Sequence, residues 1–284
     1  MSNDPEFHKE LERIIAAALN EDIGKGDITS QLTIPEKMQA EMVFIAREEL
    51  VACGLFIVSA VLHHIDNSIQ VQLCAEEGAL LPQGYVLAKA SGSARSLLTG
   101  ERVALNLMQR LSGVATLTRR YVDAVAGTNT VILDTRKTIP GLRIMDKYAV
   151  RVGGGQNHRM KLDDMVLIKD NHIAVCGSIT VAVKKVREGT KLPVEVECDT
   201  LDQVREALAA RPDRILLDNM SIEELRQAVQ INAGAVPLEA SGGVSLETIR
   251  SIARTGVDYI SVGKLTHSVP AVDIAADIMP KIRS

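Results

Sequence analysis

The chain has 284 residues, of which 46% are hydrophobic, 24% charged and only 2% aromatic, with no Trp and a formal net charge of −4. That length suits one large domain or two ordinary ones, and the composition is that of a globular protein, neither disordered nor fibrous. The acidic balance and the shortage of aromatic rings argue against a nucleic-acid partner, which needs phosphate-neutralising charge and stacking surfaces.

Met1-Ser-Asn-Asp-Pro-Glu6 has no basic stretch leading into an apolar core, and no apolar run reaches membrane-spanning length. A soluble, cytoplasmic protein without a membrane partner is expected. Asp4-Pro5 reads as a helix start, and Phe7, Leu11, Ile14, Ile15 and Ala18 supply one apolar stripe, with the helix ending near Asn20. Between residues 39 and 91 the period changes to two. Ala40, Met42, Phe44 and Ala46 mark one strand, Ile69, Val71 and Leu73 a second, and residues 86–90 a third after the Pro82-Gln-Gly84 turn, with a helix over 55–64 among them. This part is expected to be an α+β domain with a small antiparallel sheet. Thr99-Gly-Glu-Arg102 opens a helical stretch reaching about Val125, interrupted at Ser112-Gly113. The boundary is placed there, giving an N-terminal domain over 1–112 and a catalytic domain over 113–284.

From Val131 onward, six short apolar runs (131–133, 165–168, 194–196, 215–217, 237–238 and 259–262) each end in charged, polar or glycine residues. Helices are expected at 178–188, 201–209, 221–230 and 246–255. Strands alternating with helices imply a parallel sheet, and in barrels of this kind the chemistry sits at the carboxyl ends of the strands. Six units fall short of eight, so the expected fold is α/β with an incomplete, TIM-like barrel.

The strand ends carry the chemistry. Arg136 and Lys137 in Asp134-Thr-Arg-Lys-Thr-Ile-Pro-Gly-Leu-Arg143 can bind a carboxylate as a fork and as a point charge, or can face water in an ordinary turn. Local basic excess through Lys169 fits an anionic small molecule. Gly153-Gly-Gly155, before His158-Arg159, allows close backbone approach to a ligand or a flexible connection. Lys169 directly follows a buried run and calls for an anionic partner such as a ligand or Glu197, or is an ordinary solvated strand-end lysine. Glu197 and Asp218 end two later strands, where they could hold Mg²⁺, stabilise developing positive charge or pair with Lys169. Ser241-Gly-Gly243 and Gly263-Lys264 close the last two strands, where barrels often hold a phosphate. Cys53, Cys74, Cys176 and Cys198 show no paired spacing, so neither a zinc site nor a disulfide framework is indicated.

Gly100-Glu-Arg-Val-Ala-Leu-Asn106, the 134–143 run, Gly153-Gly-Gly-Gln-Asn-His-Arg159, Leu167-Ile-Lys-Asp-Asn-His172, Glu195-Val-Glu197, Leu217-Asp-Asn219, Ser241-Gly-Gly243 and Val262-Gly-Lys-Leu-Thr-His-Ser268 closely resemble the quinolinate phosphoribosyltransferases. The likeness runs in order along nearly the whole chain; Ile139, where that family often has a second Thr, is the one departure. The resemblance implies a type II phosphoribosyltransferase that uses Mg²⁺ and works as a homodimer with shared active sites, with a higher assembly open. Quinolinate and phosphoribosyl pyrophosphate would give nicotinate mononucleotide, pyrophosphate and CO₂, the committing step of de novo NAD synthesis. Residue by residue, it implies that Arg102, Thr135, Arg136, Lys137, His158 and Arg159 hold quinolinate. Lys169, Glu197 and Asp218 would be catalytic and line the ribose and metal region, with Glu197 and Asp218 as Mg²⁺ ligands. Ser241, Gly242, Gly243, Val262, Gly263 and Lys264 would hold the ribosyl 5-phosphate. Two other classes stand beside this one: an aldolase forming a Schiff base on Lys169, which needs a desolvated amine, and a non-catalytic phosphoribosyl-ligand sensor.

Overall fold

The computed structural model describes residues 5–281. Contacts group the chain into two units, the first taking the chain through Leu117, Ile139–Gly153 and the chain from Ser268, the second taking Thr118–Thr138 and Gly154–His267.

In the first unit, α1 (Pro5–Ile23) buries Phe7, Leu11, Ile14 and Ile15 of the stripe read from the sequence, with Leu19 buried and the expected Ala18 only half-buried, and runs past Asn20 to Ile23. Its expected cap, Asp4, lies outside the described residues. α2 (Ile28–Thr33) starts at Asp27, whose carboxylate accepts from Ser30 N at 2.9 Å. Then follow β1 (Gln39–Ala46), β2 (Leu50–Val51), α3 (Phe56–Ile65), β3 (Gln70–Leu73), β4 (Leu80–Leu81) and β5 (Val86–Ser93). α4 (Ala94–Ala124) is one unbroken 31-residue helix, so the interruption expected at Ser112-Gly113 is corrected. Those residues are small for packing. A Cβ on Gly113 would strike the Pro270 carbonyl oxygen, and Ser112 Oγ bonds both backbone groups of Cys53 at 3.1 Å. A mid-helix glycine costs about 1 kcal/mol against Ala, which this close approach outweighs.

The chain continues through β6 (Val131–Leu133), α5 (Arg143–Val152), β7 (Val166–Ile168), α6 (Asp170–Cys176), α7 (Ile179–Gly189), β8 (Val194–Cys198), α8 (Leu201–Ala210), β9 (Arg214–Asp218), α9 (Ile222–Asn232), β10 (Leu238–Ser241), α10 (Ile249–Ala253), β11 (Tyr259–Ser261) and α11 (Lys264–His267). The helix expected over 246–255 is only the five residues of α10, because residues 245–248 form a turn in which Thr248 Oγ1 accepts from Ser245 N. A last strand, β12 (Ile274–Pro280), returns to the first unit and pairs antiparallel with β1, giving the order β12-β1-β5-β3.

The second unit holds a six-stranded parallel sheet in the order β6-β11-β10-β9-β8-β7. The order is cyclic, with the last strand returning to the first. Among the described residues no ladder joins β6 to β7; a single parallel bridge from Leu133 to Gln156 stands on that side. Register and alternation sort the side chains. Val194, Val196, Ile215, Leu217, Leu238, Ala240 and Ile260 form an apolar face, whereas Glu195, Glu197, Arg214, Leu216, Asp218, Glu239, Ser241 and Tyr259 share the other. Three outer helices begin at side-chain caps, Ser178, Thr200 and Ser221, each worth about 1 kcal/mol.

Candidate active site

Every strand of the parallel sheet runs the same way, so the groups that follow or end them are gathered at one edge of the sheet. Thr135, Arg136 and Lys137 follow β6, and Lys169 follows β7. Glu197 and Asp218 lie near the ends of β8 and β9, inside the strands and not after them. Ser241 ends β10 before Gly242 and Gly243, and Val262, Gly263 and Lys264 follow β11. Arg102 alone lies in the first unit, on α4, with its side chain 59% exposed and Glu101 at 3.9 Å.

Lys169 Nζ donates to Glu197 Oε2 at 2.6 Å. The ladder predicts this contact, because Ile168 pairs with Val196 and the next residues lie side by side. The Lys169 side chain is 45% exposed, which is not the desolvated amine of a Schiff-base enzyme. At the neighbouring end, Asp218 Oδ2 accepts from Asn219 Nδ2 at 2.6 Å, and Asn219 is held at φ 54° with its N–H on Ser241 O. Gly242, at φ 93°, packs so closely on Asn219 that a Cβ would collide with its side-chain oxygen and lie 2.8 Å from its backbone N. Gly243, at φ 59°, faces open space. The loop after β11 is tied down by Thr266 Oγ1, which donates to Lys137 O at 2.8 Å. Two glycine-containing loops thus lie at adjacent strand ends beside the carboxylates, an arrangement suited to a phosphate.

The basic groups are fixed by a buried acid. Asp134, fully buried after β6, accepts from Asn157 Nδ2 at 2.6 Å and from His158 N at 2.9 Å. Lys137 N bonds Thr135 Oγ1 at 3.0 Å, turning the chain there. Arg159 donates through Nη1 to Met165 O at 3.0 Å. Burial, and after it repulsion from Arg136, weakens the hold of Arg159 on its proton, while Glu195 and Asp164 strengthen it. Two guanidiniums close enough to repel are a site that an anion stabilises.

Deeper on the same face, His158 Nε2 lies 3.0 Å from Glu195 Oε2 and 3.6 Å from Glu239 Oε1. Arg214 Nη1 reaches Glu239 Oε2 at 2.9 Å and its guanidinium lies 4.1 Å from the centre of the Tyr259 ring. Burial raises Glu195, opposed chiefly by Arg214, and burial followed by the Glu195 charge pushes Glu239 up to about 7. The sequence reading gave no role to Asp134, Asn157, Glu195, Arg214 or Glu239. A signal was present: Glu195-Val-Glu197 puts two carboxylates on one face two residues apart, so one of them must lie below the strand end. Gly153 proves to cap α5, its N–H on Ala149 O, and Gly154 takes φ 94°, so these residues end a helix.

Mg²⁺ prefers oxygen ligands and usually takes one or two carboxylates plus substrate phosphates. Glu197 and Asp218 on adjacent strands offer that chemistry. Among the described residues, the one cluster of three potential metal ligands is His158, Glu195 and Glu239. All four cysteines are free, and among the described residues no helix is long and apolar enough to cross a membrane.

Known proteins resemble this chain along most of its length. Residues 27–112 match the family model for the N-terminal domain of quinolinate phosphoribosyl transferase, and residues 114–277 match that for its C-terminal domain. The chain is 46% identical over 285 residues to a Mycobacterium leprae protein named nicotinate-nucleotide pyrophosphorylase [carboxylating], covering 98% of this chain and 100% of the relative. A Bacillus subtilis protein named as a probable enzyme of the same kind is 45% identical over 273 residues, covering 95% and 94%. Among solved structures, NadC from Streptococcus pyogenes superposes with a TM-score of 0.93 at 39% identity, covering 96% of this chain and 97% of that one. The nicotinate-nucleotide pyrophosphorylase from Francisella tularensis gives 0.91 at 41% identity, covering 95% and 96%.

Proposed function

The chain belongs to the quinolinate phosphoribosyltransferase family, and from that premise we propose the division of labour within its site. The enzyme transfers the phosphoribosyl group of phosphoribosyl pyrophosphate to quinolinate with decarboxylation, giving nicotinate mononucleotide, pyrophosphate and CO₂ in de novo NAD biosynthesis. The observation that carries the assignment of roles is the gathering of a basic pair, a Lys–Glu pair and two glycine loops at one edge of a single parallel sheet.

Arg136, Lys137 and Arg159, with Thr135 beside them, hold the two ring carboxylates of quinolinate, and His158, expected to share in that contact, lies behind Arg159. The Gly242-Gly243 and Gly263-Lys264 loops, bordered by Ser241 and Val262, hold the ribosyl 5-phosphate. Attack by the pyridine nitrogen on the anomeric carbon passes through an oxocarbenium-like state, which Glu197 and Asp218 stabilise from adjacent strand ends. Lys169 keeps Glu197 aimed during that step. The C2–carboxylate bond then breaks with its electron pair left on C2 beside the cationic ring nitrogen, C2 takes a proton from solvent as CO₂ departs, and no protein nucleophile is required. Cationic side chains must position that carboxylate without holding it too tightly, because uniform ground-state binding does not accelerate a step.

Mg²⁺ bound with pyrophosphate would neutralise charge on the leaving group, and Glu197 and Asp218 are the residues that would hold it. We further propose a cytoplasmic homodimer in which Arg102 from one subunit completes the quinolinate site of the other, since a bidentate Arg on a rigid helix suits a carboxylate. The expected division at residues 112 and 113 would then hold only in outline: the first unit supplies Arg102, and the second, Thr118–Thr138 with Gly154–His267, carries the catalytic strand ends. The test is to supply the purified protein with quinolinate, phosphoribosyl pyrophosphate and Mg²⁺. Release of CO₂ with formation of the mononucleotide is expected, and its loss in excess chelator supports the metal. An enzyme that releases no CO₂ would overturn the reading.

A further inference from the structure

Two carboxylates on the face that carries the site take no part in the roles above. Glu195 and Glu239 are fully buried, within β8 and β10. Arg214 serves one oxygen of Glu239. Among the described residues no aligned hydrogen-bond donor reaches either oxygen of Glu195 or Oε1 of Glu239. Facing them are the edge of the His158 ring, with Nε2 at 3.0 Å and 3.6 Å, each other's carboxyl group, the charges of Arg214 and Arg159 and, at Glu239, the Ser261 side chain. Two buried carboxylates with a single hydrogen-bonded cation, Arg214, between them are costly, so the positive edge of this ring belongs beside the oxygens that Arg214 does not reach.

The other ring nitrogen fixes where the proton sits. His158 Nδ1 accepts the backbone N–H of Arg159 at 2.8 Å, so the ring proton lies on Nε2, on the edge that faces the carboxylates. The same assignment disposes of the three groups as a metal trap. A protonated Nε2 has no lone pair to give, and Arg214 already places a cation at Glu239. The His158 ring is thus anchored below by two acids and reaches upward to the amide of Arg159, while Asp134 holds the amide of His158 itself.

We propose that Glu195 and Glu239 are positioning residues for quinolinate recognition: by setting the His158 ring they set the backbone of Arg159, and so the place at which its guanidinium meets a ring carboxylate. The inference rests on the quinolinate reading above. A bidentate contact tolerates little displacement, so a carboxylate-binding Arg needs its supporting groups held as firmly as itself. His158 then acts through Arg159.

The isosteric variants Glu195→Gln and Glu239→Gln test this by steady-state kinetics. Loss of one charged contact in the support should raise KM for quinolinate about tenfold or more while KM for phosphoribosyl pyrophosphate stays within about twofold. In a His158→Ala background the Glu195→Gln change should add little, because its route is gone. Unchanged quinolinate KM, or equal rises in both KM values, would overturn the proposal. Should a variant not fold, ¹⁵N NMR of the histidines in the unaltered enzyme decides. A proton on Nε2 of His158 supports the inference, and one confined to Nδ1 sinks it. Wild-type protein that leaves quinolinate untouched defeats the functional reading itself; normal wild-type turnover with unaffected variants defeats only this inference.

Discussion

Lys169 and Glu197 meet at 2.6 Å across adjacent strand ends, with the lysine side chain 45% exposed and the glutamate 10%. The pair occupies the mouth of the sheet with its glutamate buried and its lysine half in solvent, which screens the contact. Lys169→Ala and Glu197→Ala should therefore lower stability by only about 1 kcal/mol, the usual scale for a solvent-screened pair, while turnover falls about a hundredfold or more. Melting curves and kcat measured together check this. A large drop in melting temperature with ordinary activity would show that the pair serves folding alone.

Arg136 and Arg159 repel one another enough to weaken the hold of Arg159 on its proton, after the larger effect of burial. A dianion relieves that repulsion better than a monoanion. Quinolinate should be preferred over nicotinate by a factor of about 10–100 in kcat/KM, the worth of one charged contact. Comparable use of the two acids would refute the dicarboxylate assignment.

Gly242 sits at φ 93° against Asn219, whose backbone N would lie 2.8 Å from an added Cβ. Gly242→Ala must move the loop or Asn219. KM for phosphoribosyl pyrophosphate should rise about tenfold or more with KM for quinolinate changed far less. Equal effects on both substrates would deny the loop a phosphate-binding role.

Glu239 is pushed up to about 7 by burial and by Glu195, from an ordinary value of 4.5. A carboxyl raised in the folded state binds its proton more tightly than the unfolded chain does. Its stabilising contribution is therefore complete below about pH 4.5 and lost as the pH rises through about 7. The wild type should lose on the order of 3 kcal/mol from this group between pH 4.5 and pH 8, and Glu239→Gln should lose correspondingly less. Denaturant titrations at both pH values measure the difference, and an identical loss in the variant would remove Glu239 from the account.

Arg102→Ala and Lys169→Ala should each be nearly inactive alone. If Arg102 serves the partner's site, unfolding and refolding the two together yields mixed dimers with one doubly defective site and one intact site. Random pairing then restores about a quarter of the sites. Mixed dimers seen by mass spectrometry without recovered activity would place Arg102 in its own subunit's site.

What the sequence made legible was periodic or terminal. The stripe of α1, the alternation of β1 and the six apolar runs of the parallel sheet all lie where their spacing puts them, because each repeats a geometric period. The breaker reading of Ser112-Gly113 misled because glycine has two uses, and close approach to Pro270 is invisible along the chain. β12 escaped notice for a related reason: its partner is β1, and Ala-Ala-Asp within it carries no strand signal of its own. The strand-end residues were readable, since parallel strands expose their carboxyl ends. The supporting acids were not, as Glu195 and Glu239 become intelligible only once His158 and Arg214 are brought to them from other elements.

The pairing of β12 with β1 also bears on how the protein is made. Ala40 is registered against Pro280, so one flank of β1 waits for a partner emerging almost a whole chain later. At ribosomal speeds of about 5–20 residues per second, that flank stays bare for roughly ten to fifty seconds. An open strand edge is a template for association with other chains, and chaperone occupancy of nascent β1 would be greatest in this interval. The parallel sheet can assemble before β12 exists. The antiparallel sheet cannot, so maturation of this protein ends at its beginning.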